Sequence, residues 1–352
     1  MKYNFIIAAL LCLGAQLGMT ETKINSSRPQ RTGALPQEKS VAELPPLPPL
    51  PEADVEKIRA AIPSKSEVAT PKQPRKLLVF YRSGNPGIHP MAYGNKMFEL
   101  LAEKTGAFTV TLSQDYADLS ADRLKQYDAV FLNNAGGLKF QGFPERQGLL
   151  EFVRSGKGLA GQHWATDNFR DWPEAAKHLF GGVMNGHPFF SANVRKDVTS
   201  SSLTAMFPSA GFSWGEEYYI FSDKDHRSEP NFQQTYDRSK LRVLLSIDLE
   251  KSPDVQKRIA AIASDPKDRY HGKLRDDNDY ALSWIRREGE GRVFYTAFGH
   301  AKSAYWNPFM VRHFMAGVQY ALGDLPADDS PSSPVKADTQ RADGTVNTGG
   351  VH

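Results

Sequence analysis

Short apolar runs alternate with amphipathic segments along the chain from Lys76 onward. Each apolar run is typical of a strand that is covered on both faces of a sheet. The strands predicted in this way are Leu77–Tyr81, Phe108–Leu112, Asp128–Leu132 and Leu159–Gly161. The intervening helices, which have apolar residues at helical spacing and a glycine beyond the end, are Pro90–Lys104 and Glu145–Val153. This alternation predicts an α/β fold with a parallel-rich central sheet and helices on both faces.

The second half of the chain has a different pattern, in which strands are joined by irregular loops. The predicted strands are Ala192–Val198, Tyr218–Phe221, Leu241–Ile247, Tyr280–Arg286 and Gly291–His300. Glu250–Lys273 is polar and is interpreted as a surface excursion. A last helix begins after the cap residue Asn307 and stops at Gly323. We therefore expect strand-rich insertions in the second half of the α/β domain.

Composition divides the chain into four parts. Residues 1–20 are predicted to be a signal peptide, because Lys2 precedes an apolar run that is too short to span a membrane. Residues 21–75 form a Pro-rich linker and an N-terminal arm with a short helix at Glu52–Ile62. Residues 76–324 form the main domain, and the polar tail 325–352 is predicted to be disordered. We expect an exported, periplasmic or extracellular protein with no stable membrane span after signal removal; an uncleaved anchor is the alternative.

Charge and cysteine content exclude several classes of function. The formal net charge is +3 and the basic residues are scattered, so nucleic acid is not an expected partner. The single cysteine, Cys12, lies in the predicted signal peptide. The mature chain would therefore have no disulfide, no catalytic thiol and no thiolate metal ligand. The oligomeric state is left open by the sequence.

Histidines follow several of the predicted strands. His89, His163 and His300 each come after a strand of the proposed sheet. Because ligands gather at the carboxyl ends of parallel strands, we expect these three side chains to share a pocket. Histidine is the usual acid–base group near neutral pH and a common metal ligand. For each of them alone, a hydrogen-bonded structural role is the alternative, and His178 and His313 are interpreted as structural.

Polar residues near these strand ends add candidates for the same pocket. Asn133–Gly137 is similar to loops whose backbone N–H groups hold an anion. Glu216 and Glu217 are adjacent on a predicted strand, so one of them at most can point into the pocket. Asp167 is expected to orient His163 or to cap a turn. The acidic loop before Tyr280 is either part of the site or a solvated turn.

Several separated motifs occur in a fixed order between Lys76 and Gly323. They are Leu77–Tyr81 followed by His89, Tyr127–Leu132, Gly158–Asp167, Asp171–Pro173, Gly186–Pro188, Glu216–Phe221, Leu244–Asp248, Asp279–Trp284 and Gly291–His300. Together they resemble the ThuA-like (trehalose utilisation) domain family. The resemblance implies a flavodoxin-like, class I glutamine amidotransferase-like fold and a link to carbohydrates, including oxidised keto disaccharides. Amidotransferases of that fold have a nucleophilic cysteine where Gln162 or His163 stands here, so their chemistry is not expected.

Two hypotheses of function follow from the residues and the resemblance. The favoured one is an exported enzyme that isomerises or cleaves a sugar or keto-sugar by acid–base chemistry, with His163, Glu217 and His300 as catalytic residues. The alternative is a noncatalytic carbohydrate-binding or structural domain of the same fold. The residues assigned to substrate binding are His89, Trp164, Thr166, Asp167, His187, Tyr219 and Asp279.

No motif demands a cofactor, but the candidate side chains are compatible with a divalent metal such as zinc. The candidate ligands are His163, His187, Glu217 and His300.

Overall fold

The computed structural model describes residues 44, 46–83, 87–138, 145–168, 178–222 and 234–334. All of them belong to one compact unit, Lys39–His352. The predicted signal peptide, the first half of the predicted linker and the motif Asp171–Pro173 lie outside the described residues. No helix in the described ranges has the length and apolar character needed to cross a bilayer.

Helices and strands appear close to the positions that the hydrophobic pattern predicts. The helices that lie wholly in the described ranges are α1 (Glu52–Ala61), α2 (Met91–Thr105), α3 (Ala121–Leu124), α4 (Glu145–Arg154), α5 (Pro253–Ser264) and α6 (Pro308–Leu322). The strands are β1 (Lys76–Phe80), β2 (Thr109–Ser113), β3 (Ala129–Asn133), β4 (Gly158–Gln162), β5 (Phe189–Lys196), β6 (Phe212–Tyr218), β7 (Arg242–Ile247), β8 (Ala281–Glu288) and β9 (Gly291–Thr296).

The strands of the described chain form one mixed sheet in the order β2-β1-β3-β4-β9-β8-β7-β5-β6. The strands from β2 to β9 in this order pair in parallel. From β9 to β6 every pairing is antiparallel. The α/β architecture predicted from the sequence is therefore confirmed as a mixed sheet, and the strand-rich second half extends that sheet.

The parallel half carries the densest part of the core. All five residues of β3 and of β4 are buried, which explains why the sequence shows continuous apolar runs there. Helices α4 and α6 both pack against β4 and β9. The last helix is capped as predicted, since the side chain of Asn307 accepts from the N–H groups of Phe309 and Met310, and Gly323 ends it with a φ of 84°.

Two elements of the second half differ from the prediction. The sequence predicts a strand at Tyr218–Phe221, whereas β6 ends at Tyr218. The apolar residues after it are buried, but Ile220 exchanges backbone hydrogen bonds with Asn185 and Gly186 instead of extending the β5–β6 ladder. Glu250–Lys273, predicted as a polar excursion, contains α5, whose Val255 and Ile262 are buried.

The segments that flank the main domain pack against it. Ile58 and Ile62 of the N-terminal arm are buried, and the hydroxyl of Tyr93 on α2 donates to Asp54 at 2.8 Å. Residues 325–334, the first part of the predicted tail, also contact the domain. Ser332 accepts at its hydroxyl from the N–H of Val243 at 3.0 Å and donates its own N–H to the carbonyl of Leu241. Composition gave no sign of these contacts, because they join residues far apart in sequence.

Candidate active site

Three imidazoles meet beyond the carboxyl ends of the parallel strands β1, β4 and β9. The ring centroids of His89 and His163 are 5.1 Å apart, and the ring of His300 lies 5.5 Å from His89 and 5.4 Å from His163. His89 follows β1, His163 follows β4 directly, and His300 follows β9. Parallel pairing of the strands between them brings these ends to one edge of the sheet.

Glu217 and His187 complete this group, which we call the histidine cluster (His89, His163, His187, Glu217 and His300). Oε2 of Glu217 lies 3.4 Å from Nε2 of His163, and Oε1 lies 3.0 Å from Nδ1 of His187. Glu217 is on β6, the edge strand, five positions from β4 in the sheet order. The antiparallel half of the sheet must therefore fold back over the carboxyl ends of the parallel half.

His163 sits at a backbone turn that few side chains tolerate. Its φ is 45°, in the left-handed region, immediately after β4. Nδ1 lies 2.9 Å from the carbonyl oxygen of Ala297, which can only accept, so Nδ1 carries the proton. The ring stacks on Tyr219 with 4.1 Å between centroids. These contacts fix the tautomer and direct the lone pair of Nε2 toward Glu217.

The adjacent acid, Glu216, turns the other way and holds the loop that carries His300. Its carboxylate is buried and accepts hydrogen bonds from the N–H groups of Gly299 at 3.0 Å, His300 at 3.1 Å and Ala301 at 3.1 Å. The two neighbouring acids thus face different ways, as expected of neighbours on a strand. Glu217 enters the cluster and Glu216 positions one of its walls.

Buried amides brace the loops beneath the cluster. Nε2 of Gln162 donates to Asn133 at 2.8 Å and to the hydroxyl of Tyr305 at 2.6 Å. Nδ2 of Asn134 donates to the carbonyl of Gly299 at 3.0 Å. Asn133 and Asn134 are fully buried, and their side chains serve these contacts. Sequence reasoning missed Tyr305 because no local pattern distinguishes it from a core tyrosine.

Four of the residues predicted to bind substrate instead pack against His89 and His163 or against each other. Trp164 packs on His89 with 4.5 Å between ring centroids, and its Nε1 donates to Asp167 at 2.7 Å. Asp167 therefore orients Trp164 and not His163. Thr166 is buried and donates to the carbonyl of His163 at 3.3 Å. Tyr219 is also buried, under the His163 ring.

Asp279 lies outside the cluster. Its buried carboxylate accepts from the hydroxyl of Tyr236 at 2.6 Å and from Nη1 of Arg238 at 2.8 Å. These partners hold it in an ion-pair network.

A Gly-x-Ser-x-Gly sequence at 211–215 is no nucleophile elbow, because its exposed Ser213 lies in the antiparallel strand β6 and not at a strand-to-helix turn.

Burial and mutual proximity shift the acid–base properties of the cluster. Burial, with the neighbouring rings of His163 and His300, lowers the pKa of His89 to about 2. Burial and His163 also lower the pKa of His300 below its usual value. Burial alone would raise the pKa of Glu217, but the hydrogen bond from the facing imidazole of His187 holds that pKa below its usual range. Near neutral pH the cluster thus combines a carboxylate with neutral His89 and His300.

The rim of the cluster includes residues that sequence reasoning missed. The hydroxyl of Tyr270 lies 3.3 Å from Nδ1 of His187, and the guanidinium of Arg269 lies 4.5 Å from the Tyr270 ring centroid. Both residues belong to the segment interpreted as a surface excursion. Phe190 is 62% exposed, with its ring centroid 6.4 Å from that of His187. The available signal in the sequence was an aromatic residue three positions after His187.

The family profile described as ThuA, trehalose utilisation, matches residues 76–321. The chain belongs to this family. The match runs from the first residue of β1 into the last turn of α6, so the whole histidine cluster lies inside the ThuA domain.

One solved structure shares the fold at a TM-score above 0.5. A ThuA-like protein from Bacteroides uniformis is 19% identical, with a TM-score of 0.52, over 71% of this chain and 92% of that one. A ThuA-like protein from Parabacteroides merdae is 16% identical, with a TM-score of 0.42, over 74% of this chain and 95% of that one. No curated protein matches the chain. The first likeness shows the fold that this ThuA domain shares with its relatives.

Proposed function

We propose that this ThuA protein is an enzyme that acts on a sugar or keto-sugar by acid–base chemistry. The observation that carries the proposal is the convergence of four histidines and Glu217 on one place at the carboxyl ends of the parallel strands. The family description, trehalose utilisation, supports a carbohydrate as the substrate. Isomerisation of a keto-sugar and cleavage of a glycosidic bond beside a carbonyl both need a base and an acid at such a place.

The environment of each group suits a particular role. His300 is half-buried and its pKa is lowered, so it is a neutral imidazole able to accept a proton near neutral pH. Glu217 remains a carboxylate and accepts hydrogen bonds from hydroxyl groups of a sugar. His187 contacts the same carboxylate at 3.0 Å, and the hydroxyl of Tyr270 lies 3.3 Å from Nδ1 of His187.

The resemblance to glutamine amidotransferases argues against one reaction, acyl transfer from glutamine. A glutamine amidotransferase-like ancestry would place the nucleophile at the turn after β4, where His163 adopts a φ of 45°. An imidazole held by Ala297 and Tyr219 offers no thiolate for acyl transfer. Amidotransferase chemistry is therefore left out of the proposal. We also propose export to the periplasm or the medium, on the sequence of residues 1–20.

A noncatalytic carbohydrate-binding domain is the second candidate. The exposed ring of Phe190 favours it, since an aromatic face beside polar groups is a common platform for a sugar ring. The same platform would serve an enzyme, so binding alone does not separate the two candidates.

Turnover by matched histidine variants separates them. Purified protein is incubated with trehalose and with oxidised keto disaccharides, and products are followed by NMR. We expect conversion by the wild type and a loss of about 10²-fold to 10⁴-fold in kcat/KM for His300→Ala. His178→Ala is the control, because His178 pairs with Glu288, which lies opposite Gly291 at the other end of β9.

Wild-type turnover in His300→Ala would contradict the proposed catalytic role. Sugar binding in a calorimeter without any product would favour the noncatalytic domain.

A further inference from the structure

Two buried ring nitrogens in the histidine cluster have no hydrogen-bond partner among the described residues. They are Nδ1 of His89 and Nε2 of His163. His163 is fully buried and His89 is 8% exposed. A buried polar atom without a partner costs about 1–3 kcal/mol, so a pair of them at one place needs a physical reason.

The orientation of His163 supplies that reason. Its Nδ1–H is committed to the carbonyl of Ala297, which leaves Nε2 as a bare lone pair. That lone pair faces a carboxylate oxygen of Glu217 at 3.4 Å. Two electron-rich atoms repel each other at this distance unless a positive charge lies between them. A backbone carbonyl that fixes the other ring nitrogen is the usual support of a metal-bound histidine.

His89 brings a third ligand atom to the same point. One ligand atom from each of His89, His163 and Glu217 lies within 4.8 Å of the other two. Ligands at about 2.0–2.1 Å from a tetrahedral zinc ion are roughly 3.3 Å apart, so the His163–Glu217 separation already fits. The ligand atom of His89 lies within 4.8 Å of the other two, so an inward movement of its ring would complete the set.

We propose that His89, His163 and Glu217 bind one divalent transition-metal ion of the zinc class. Two imidazoles and one carboxylate, with a remaining position open, are the ligand set of catalytic zinc sites. In this arrangement the ion polarises a carbonyl or hydroxyl oxygen of the substrate. The ion's part in catalysis rests on the proposed function, whereas its binding does not.

The proposal changes the ligand set predicted from the sequence. His89, predicted as a substrate contact, becomes a ligand. His187, predicted as a ligand, bonds the other oxygen of Glu217 at 3.0 Å and therefore positions that carboxylate. The ring centroid of His300 lies 5.4 Å from that of His163 and 5.5 Å from that of His89. His300 is not a ligand in this proposal and remains available to the substrate.

A proton shared by His163 and Glu217 is the competing explanation. It would satisfy Nε2 of His163 and leave Nδ1 of His89 bare. One metal ion would be held by a ring nitrogen of each histidine and by the carboxylate together. The geometry therefore favours a metal ion over a proton.

Metal titration tests the proposal without any sugar. The full chain is stripped with a chelator and titrated with Zn²⁺, Co²⁺ and Mg²⁺ by calorimetry, and Co²⁺ binding is also followed by visible absorption. We expect one Zn²⁺ or Co²⁺ per chain and no Mg²⁺, because imidazole ligands do not suit that ion. Glu217→Gln and His89→Ala should weaken Zn²⁺ binding more than 100-fold, and His187→Ala about 10-fold to 100-fold.

Controls separate this result from misfolding and from the proposed function. Glu217→Gln keeps the shape of the side chain, and circular dichroism checks the fold of each variant. His178→Ala should bind Zn²⁺ like the wild type. No Zn²⁺ binding by the wild type, or equal binding by Glu217→Gln and His89→Ala, overturns the proposal. Sugar turnover by the chelated protein would reject the ion's part in catalysis and leave the proposed function standing. Zn²⁺ binding without sugar turnover would support the metal site and contradict the proposed function.

Discussion

Two adjacent glutamates on β6 have different roles because their surroundings differ. Glu216 is 4% exposed and receives three backbone N–H groups from residues 299–301. Glu217 faces His163 and His187 and keeps part of its surface in contact with solvent. Glu216 therefore stabilises a loop, and Glu217 is free for ligands. The alternation of a strand predicted that they would diverge, but not which of them would enter the site.

Isosteric amides at these two positions should have opposite effects. Glu216→Gln replaces one acceptor oxygen by a donor that faces N–H groups, and we expect it to lower the free energy of unfolding by about 2 kcal/mol. Glu217→Gln should change that free energy by less than about 1 kcal/mol but reduce sugar turnover at least roughly 100-fold. Urea unfolding and steady-state kinetics on both variants measure the two effects. A reversed pattern would show that the roles of the two acids are exchanged.

At the scale of elements, the antiparallel half of the sheet builds one wall of the site. β5 contains a register irregularity between Phe189 and Ser191, where the ladder to β6 shifts. The residue at this irregularity, Phe190, is exposed beside His187. Irregularities of this kind often redirect a side chain next to an active site. The edge hairpin thus brings both a carboxylate and an aromatic surface to the parallel strand ends.

Phe190 should contribute to substrate affinity and not to chemistry. We expect Phe190→Ala to raise KM roughly tenfold, which corresponds to about 1.4 kcal/mol, with kcat changed less than about twofold. Stability should stay within about 0.5 kcal/mol, since the ring is exposed. Phe309→Ala is the matched control, because Phe309 is an exposed phenylalanine of α6. An unchanged KM in Phe190→Ala would remove this ring from the substrate site.

At the scale of the whole molecule, His313 ties distant parts of the fold together. Its ring is fully buried on α6, with Nδ1 2.9 Å from the carbonyl oxygen of Leu203 and Nε2 3.0 Å from the hydroxyl of Ser283. Burial lowers its pKa from 6.5 to about 4, against a smaller opposing effect of the Leu203 carbonyl. The sequence-based interpretation of His313 as structural agrees with these partners.

The lowered pKa of His313 makes stability depend on pH. Between pH 6.5 and about pH 4, His313 is protonated in the unfolded chain but not in the folded chain. The free energy of unfolding therefore falls as the pH falls through this window. We expect His313 to account for a loss of about 2 kcal/mol in the free energy of unfolding between pH 7 and pH 5. Urea unfolding of the wild type and of His313→Gln at both pH values measures the difference. Equal losses in the two proteins would contradict this assignment.

The sequence by itself determined the elements of the parallel half and the edge at which its histidines would lie. Continuous apolar runs, helical spacing and terminal glycines are local signals, and the carboxyl ends of parallel strands share an edge whatever the connections between them. His89, His163 and His300 could therefore be grouped before the fold was known. The hydrophobic pattern also located α6 and its cap Asn307.

Only the tertiary structure decided how the far end of the chain completes the site. Three features depend on contacts between residues far apart in sequence. They are the return of β6 across five strand positions, the carbonyl of Ala297 that fixes the His163 tautomer, and the ion-pair network that holds Asp279. Local patterns do not specify such contacts, because the curvature of a mixed sheet follows from the packing of both its halves. The sequence thus named most members of the cluster, and packing assigned their roles.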